Sequence, residues 1–445
     1  MNLNSPTAVQ NKLQNKMDIS IIGTGYVGLV TGACFAELGN KVICVDNDLN
    51  KIKKLKKGII PIYEPGLEDL VKKNTKRKRL YFSSSIKEAV DKTEVIFIAV
   101  GTPSLPNGEA DLTGIENVAT QIAKNLKSYR LIVEKSTVPV ETGEWVKHTI
   151  KINNKLNVDF DVASNPEFLR EGSAIYDFMH PDRIVIGVES KRAEELLIKL
   201  YRPLKAPILV TDIKSAELIK HASNSFLATK ISFINALAKI CEKTQADIVK
   251  VAEGMGLDKR IGKDFLKAGA GFGGPCLPKD VDAFIHIAEK LGYDFELLKA
   301  VKKINEEQKR SILKKLSDSL WILKGKTVGI LGLTFKPNTD DIRGSISLEI
   351  IEELKKEEVN IKVYDPKAMP KVKSILKKVR FCPDPYIVAK NSDCLIIITE
   401  WDEFKYLNFS KIKKLMKQPL LIDARNILEP SLMKELGFHY IGIGR

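Results

Sequence analysis

The hexapeptide GTGYVG, Gly23 to Gly28, follows the apolar run DISII and opens a small-residue stretch that ends at ELGN. Few short segments constrain a fold more. Glycine reaches positive φ without steric cost and lets other atoms come close to the main chain. Between a strand and a helix the three glycines have separate duties. Gly23 makes the tight turn, Gly25 lets a pyrophosphate reach backbone N–H groups at the helix N-terminus, and Gly28 lets helix and strand pack closely. Gly39 falls where that helix would be capped. KVICVD (41–46) reads as a second buried strand ending in Asp46, about 20 residues past the first glycine, where a dinucleotide site needs an acid. A carboxylate there accepts from both ribose hydroxyls and repels a 2′-phosphate, so the segment predicts NAD rather than NADP.

Apolar runs continue at helix-length intervals: EVIFIAV (94–100), RLIVEKS (130–136), FDVASN (160–165), RIVIGV (183–188) and ILVTD (208–212). Strands spaced in this way predict an α/β fold with a doubly wound parallel sheet over residues 17–212. The texture then changes, with neither Gly nor Pro from Ile213 to Glu253. Within it, IKSAELIKHASNSFLATKISFINALAKICEK (213–243) is expected to form one long helix, packed on several sides or serving as connector and subunit interface. A second α/β unit opens at KTVGILGLTFKP (326–337) and runs through IKVYDP, CLIIITEW and PLLIDARN. Its turn reads G-x-x-G (Gly329, Gly332) and lacks the close-approach glycine, so it should not hold a dinucleotide as the first does. Four segments follow: a loose extension at 1–16, an NAD-binding domain at 17–212, a central helical segment at 213–324, and a second Rossmann-like domain at 325–445.

GAGFGGPCLPKD (269–280) sits in the central segment. Its glycines and prolines describe a shaped, non-repetitive loop. By itself it fits either a surface turn with an incidental thiol or a nucleophile, Cys276, held against a ligand. Lys220 and Asn224 lie four apart on the long helix and share a face, which fits a solvent-facing pair as well as a site. STVPV (136–140) and NPEFLREG (165–172) follow strands at the carboxyl edge where such sheets bind ligands, and they bring Thr137, Glu167 and Glu171 there.

Six dispersed cysteines and five histidines form no C-x-x-C or H-E-x-x-H pattern, so neither a disulfide framework nor a metal site is expected. The net charge of +15 comes from lysines spread along the whole chain, without an aromatic-interleaved basic module. A lysine-biased surface that attracts anionic small molecules explains it better than nucleic-acid binding. No apolar run is long enough to span a membrane, and the polar first residues lack a signal-peptide core, so a cytoplasmic protein is expected.

Taken together, GTGYVGLV, STVPVETG, NPEFLREG, HPDRIVIG, AELIKHASNSFLATKISFINALAKIC, GAGFGGPCLPKD and FKPNTDDIRGS resemble the UDP-glucose 6-dehydrogenases, a branch of the UDP-glucose/GDP-mannose dehydrogenase family. The resemblance runs in order over nearly all of 17–430. It implies a double oxidation of the sugar C6 hydroxyl of UDP-glucose with NAD as acceptor. Cys276 would be the nucleophile that forms a thiohemiacetal and then a thioester. Lys220 and Asn224 would stabilise negative charge on the sugar oxygen, and Asp280 would handle the first proton through an ordered water. Thr137 would position that water, and Glu167 would be the base in thioester hydrolysis. Beside Gly23, Gly25 and Gly28, the residues implied to line NAD are Val27, Asp46, Lys51, Thr102, Thr137, Glu171, Lys279 and Arg343. Those implied to line the sugar nucleotide are Phe168, Leu169, Arg170, Glu171, Lys220, Asn224, Phe265, Leu266, Lys267, Ala268, Gly269, Gly273 and Lys336. Arg260 matches an arginine that reaches substrate across a subunit interface in family dimers, so a homodimer is implied. The second α/β unit would hold the uridine diphosphate. Pro275 stands where many members have serine, and His221 and Ser223 are less usual neighbours of the helix motif. Neither change removes a reacting group. A GDP-mannose or UDP-N-acetylhexosamine dehydrogenase, and a single-step β-hydroxyacid dehydrogenase that needs no thiol, remain alternatives at this stage.

Overall fold

In the computed structural model, which describes residues 16–105 and 108–445, the chain divides into two compact units that meet between Ala222 and Ser223. Residues 1–15 of the expected extension lie outside the described residues.

The first unit is built on one sheet with strands in the order β3-β2-β1-β4-β5-β6-β7-β8. These are β1 (Asp18–Ile22), β2 (Lys41–Val45), β3 (Leu80–Ser83), β4 (Val95–Ile98), β5 (Arg130–Glu134), β6 (Phe160–Ser164), β7 (Ile184–Gly187) and β8 (Ile208–Thr211). All neighbours are parallel except β6 and β7, which touch antiparallel at Ser164 and Gly187. The doubly wound sheet expected from the sequence is present, with that one reversal. The short β3, a YFS run with an exposed Tyr81, was too brief and too polar in its flanks to stand out. Apolar side chains cover both faces: one layer gathers Ile19, Phe35, Phe97 and Tyr201, the other Ile22, Ile98, Ile122 and Val146. Helix α1 (Tyr26–Glu37) follows the glycine turn and is almost wholly buried.

The second unit repeats the plan with six strands in the order β11-β10-β9-β12-β13-β14, all parallel. They are β9 (Thr327–Leu331), β10 (Asn360–Tyr364), β11 (Arg380–Phe381), β12 (Cys394–Ile397), β13 (Leu420–Asp423) and β14 (His439–Ile441). In both units the order reverses beside the first strand, which opens a crevice at the carboxyl ends of the strands. Here the G-x-x-G segment differs from its sequence reading. Gly329 lies within β9, where a Cβ would press on Val388, and only Gly332 (φ +93°) makes the turn. Asp365 accepts from the N–H groups of Leu333 and Thr334, and the Trp401 indole donates to the same carboxylate.

Most of the Gly- and Pro-free stretch forms helix α2 (Ile213–Thr244), the unit boundary falls inside it, and a separate helix begins at Ile248. Two further helices shape the region of the thiol: α3 (Leu277–Lys290) and α4 (Glu296–Leu320).

Candidate active site

The three glycines of the first turn differ in what a side chain would meet. At Gly23 (φ +104°) a Cβ would lie 2.4 Å from the Ala99 carbonyl oxygen, and at Gly28 it would lie 1.9 Å from that of Gly23. At Gly25, which caps α1, it would meet nothing within 4 Å. The outer two glycines are filled by protein. The middle one leaves the helix N-terminus open to an anion, so a dinucleotide fits. Val27 lies in that first helical turn. Asp46, at the end of β2, accepts from the Thr24 N–H (2.9 Å) and hydroxyl (2.7 Å) and pairs with Lys51 at 2.8 Å. Burial raises its proton affinity, but Lys51 and these donors outweigh it and hold the carboxyl below its ordinary range. Thr102 is buried and donates to the Thr137 carbonyl at 2.8 Å, which ties the loops after β4 and β5 together.

The loop after β6 brings Glu167 inward. Its carboxylate is buried, 3.0 Å from Lys220 Nζ, and it accepts the Leu169 N–H at 2.6 Å. Lys220 lies over the Phe168 ring at 5.4 Å, with the Arg183 guanidinium over the same ring at 3.7 Å. Arg170 turns outward to Asp177. Glu171, half-buried, precedes Gly172, whose N–H donates to Glu64 at 2.6 Å. Glu64 also accepts the Ala174 N–H at 2.8 Å and the Tyr26 hydroxyl. A buried glutamate therefore ties this loop to the start of α1. Beside it in the sequence, Pro65 and Gly66 carry only a turn signal.

In the second unit Asn224 donates to Asp280 Oδ2 at 2.5 Å, and Lys279 pairs with Asp280 Oδ1 at 2.7 Å. Both Asn224 and Asp280 are buried. The segment 269–280 is only partly the loop expected from its composition: Cys276 is the N-cap of α3, so Lys279 and Asp280 belong to a helix. Pro278 in the first turn and the acid after it fit that start. The Asp280 N–H closes the first helical bond on the Cys276 carbonyl at 2.8 Å. Cys276 is exposed, the other five cysteines are buried, and none forms a disulfide. A thiol at a helix N-terminus is in a field that favours thiolate.

The glycines before it are fixed by contact. A Cβ at Gly273 would lie 2.1 Å from the Gly344 carbonyl oxygen, and one at Gly274 would lie 2.6 Å from the Phe335 ring. Three buried amides grip the chain upstream: Asn235 accepts the Gly269 N–H, Gln308 donates to the Gly269 carbonyl, and Asn305 both accepts from and donates to Phe272. Asn305 and Gln308 interrupt the buried stripe Leu298, Val301, Ile312, Leu316 of α4. Polar residues at core spacing are the one mark these amides leave in the sequence. Of the stretch 265–269, Leu266 and Ala268 bury their side chains, leaving Phe265 (φ +65°), the exposed Lys267 and the main chain to meet a ligand. Lys336 lies over the Phe335 ring, Arg343 pairs with Asp341, and the exposed Arg260 pairs with Asp258.

Three models of one family cover most of the chain: the NAD-binding domain of the UDP-glucose/GDP-mannose dehydrogenase family matches 17–205, the central domain 214–307 and the UDP-binding domain 329–430. The chain belongs to that family. It is 50% identical over 428 residues to the UDP-glucose 6-dehydrogenase TuaD of Bacillus subtilis, covering 96% of this chain and 93% of the relative. It is 46% identical over 436 residues to the UDP-glucose 6-dehydrogenase of Rhizobium meliloti, covering 96% and 100%. Among solved structures, the UDP-glucose dehydrogenase of Pyrobaculum islandicum superposes with a TM-score of 0.91 at 40% identity, covering 96% of this chain and 98% of that one. A UDP-D-ManNAc dehydrogenase of Pyrococcus horikoshii gives 0.86 at 28% identity, covering 96% and 99%. As in its family, the chain is a dehydrogenase that uses NAD. Among the described residues no cluster of three or more His, Cys, Asp or Glu could hold a metal ion, and no helix is long and apolar enough to cross a membrane.

Proposed function

We propose that the chain oxidises UDP-glucose to UDP-glucuronate, a four-electron step with NAD as acceptor, through a covalent intermediate on Cys276. The observation that carries the covalent step is the placement of the one exposed thiol at the head of α3, one turn from an Asp280 that Asn224 and Lys279 hold. The identity to enzymes named for UDP-glucose supports the substrate.

Bound NAD would supply the hydride acceptor for both oxidations, seated on the Gly25 turn with Asp46 at its ribose. Asp280 takes the C6 hydroxyl proton through a water that Thr137 positions, while Lys220 and Asn224 donate to the oxygen as charge builds on it. The Cys276 sulfur adds to the aldehyde carbon and the oxygen gains a proton, giving a thiohemiacetal. Loss of hydride and that proton leaves a thioester. Glu167 removes a proton from water as it attacks the acyl carbon, and the C–S bond breaks to return the thiol and a carboxylate. Two hydrides and three protons leave and one water enters, which balances alcohol to carboxylate.

Residues 17–212 hold the cofactor in this account, 213–324 the thiol loop, and 325–445 the uridine diphosphate. The other ligand contacts are those implied by the family resemblance. A homodimer is supported by Phe226, Phe233 and Ile240, exposed at seven-residue spacing on α2, a stripe that a second copy would cover. Six cysteines without a disulfide suit the reducing cytoplasm.

NADH release measured with UDP-glucose, GDP-mannose and UDP-N-acetylmannosamine tests the substrate. UDP-glucose should give the highest kcat/KM, and a higher value for either other sugar nucleotide would overturn the assignment.

A further inference from the structure

Lys135 follows β5 and is buried to 4% exposure, a rare condition for a lysine. Its ammonium donates to the Asn165 side-chain carbonyl at 2.9 Å and main-chain carbonyl at 3.2 Å, with the Tyr201 hydroxyl at 3.5 Å. Asn165 in turn donates to the Val185 carbonyl at 2.7 Å and accepts the Tyr201 hydroxyl. All the direct partners are neutral. The charges that reach Lys135 are Glu167, which favours its ammonium, and Lys220, which opposes it. Its neighbour in the chain, Glu134, instead feels the charge of Glu217.

Neutral amides and a phenol do not by themselves repay burying a cation. A neutral side chain would pack there at lower cost, so the charge calls for another reason. Asn165 lies two residues before Glu167, which places the ammonium under the turn that presents the candidate base. We propose that Lys135 is a positioning residue for Glu167: its ammonium grips both carbonyl oxygens of Asn165 and so fixes the turn that presents the Glu167 carboxylate to Lys220. Burial lowers the proton affinity of Lys135 to about 7, so the ammonium is intact below neutral pH.

The inference rests on Glu167 acting as the hydrolytic base. The test is the rate of the first NADH against steady-state turnover, with intact mass of the protein, for the wild type, Lys135→Met and Lys135→Arg with NAD and UDP-glucose. Met keeps the length and removes the donors; Arg keeps donors for both Asn165 carbonyls. In Lys135→Met the first NADH should form within about twofold of the wild-type rate, while steady-state turnover falls at least about tenfold and an acyl group builds up on the protein, and Lys135→Arg should recover turnover. A Lys135→Met that turns over like the wild type, or that slows the first NADH as much as turnover, overturns the proposal, whatever the variant does to the melting temperature. If neither variant folds, Asn165→Ser removes the gripped side-chain carbonyl and must also build up the acyl group, and its absence overturns the proposal. Failure of the underlying role is separately visible: Glu167→Gln would then build up no acyl-enzyme, whereas a Glu167→Gln that does so beside a silent Lys135→Met rejects this inference alone.

Discussion

Lys220 Nζ lies 3.0 Å from Glu167 Oε1, and both groups are buried. The pair joins a loop at the carboxyl edge of the first sheet to the long helix, and it puts a candidate base beside a candidate oxyanion donor. Replacing Glu167 by Gln keeps the shape and removes the base. Turnover should fall by about 10²–10⁴-fold. The first NADH should still form rapidly, and intact mass should show an acyl group on the protein. Slow turnover with no adduct would move the defect to an earlier step.

The glycine turn predicts opposite outcomes at two neighbouring positions. Gly25→Ala adds a methyl where nothing stands within 4 Å, so the fold should hold and the melting temperature should stay close to the wild type. The methyl would stand in the anion site, so KM for NAD should rise at least tenfold. Gly28→Ala puts a methyl 1.9 Å from the Gly23 carbonyl oxygen, and thermal unfolding should show a loss of about 1–3 kcal/mol or more. Equal effects of the two on stability would contradict these roles.

How far the sequence revealed this arrangement depended on how local the signal was. Gly23, Gly25, Gly28 and Asp46 occupy one strand–turn–helix–strand unit, so the turn at Gly23 and the close packing at Gly28 were legible from spacing alone. The apolar runs located eleven of the strands, while β3, β11 and β14 were too short or too polar to see. Cys276 read as a loop residue because three of its neighbours are Gly or Pro, yet it caps a helix. The buried polar contacts were the least visible. Glu64 and Tyr26 meet across 38 residues, Lys135 and Tyr201 across 66, and neither pairing leaves a periodic trace. Such pairs form when separate loops converge at a sheet edge, which one sequence does not encode as a pattern.

The thiols should separate cleanly toward an alkylating agent. Burial raises the proton affinity of Cys34 and Cys44 to about 12, and Cys241, Cys382 and Cys394 are also enclosed. Iodoacetamide should therefore label Cys276 first. Peptide mapping should find activity falling in step with that single modification, and full activity after its complete labelling would remove the thiol from the mechanism.

Glu134 and Glu217 face one another inside the first unit. Glu217 accepts the Glu141 and Gly143 N–H groups, each at 2.7 Å, while Glu134 is fully buried beside it. Burial, then the Glu217 charge, push the Glu134 carboxyl well above the ordinary carboxylate range, so it holds a proton. The folded chain thus binds a proton that the unfolded chain releases, and stability is lost as pH rises above the ordinary carboxylate range toward the folded value. Glu134→Gln supplies an N–H in place of that proton and removes the dependence. Its melting temperature should gain on the wild type between about pH 5 and pH 8, and parallel curves would contradict the protonated pair.

The most direct test of the central claim is the amount of NADH formed per UDP-glucose consumed, followed to completion with the product identified. A thiol that retains the aldehyde and releases it only as the acid requires two NADH and UDP-glucuronate for each UDP-glucose. A single NADH per sugar nucleotide, with the aldehyde set free, would contradict it.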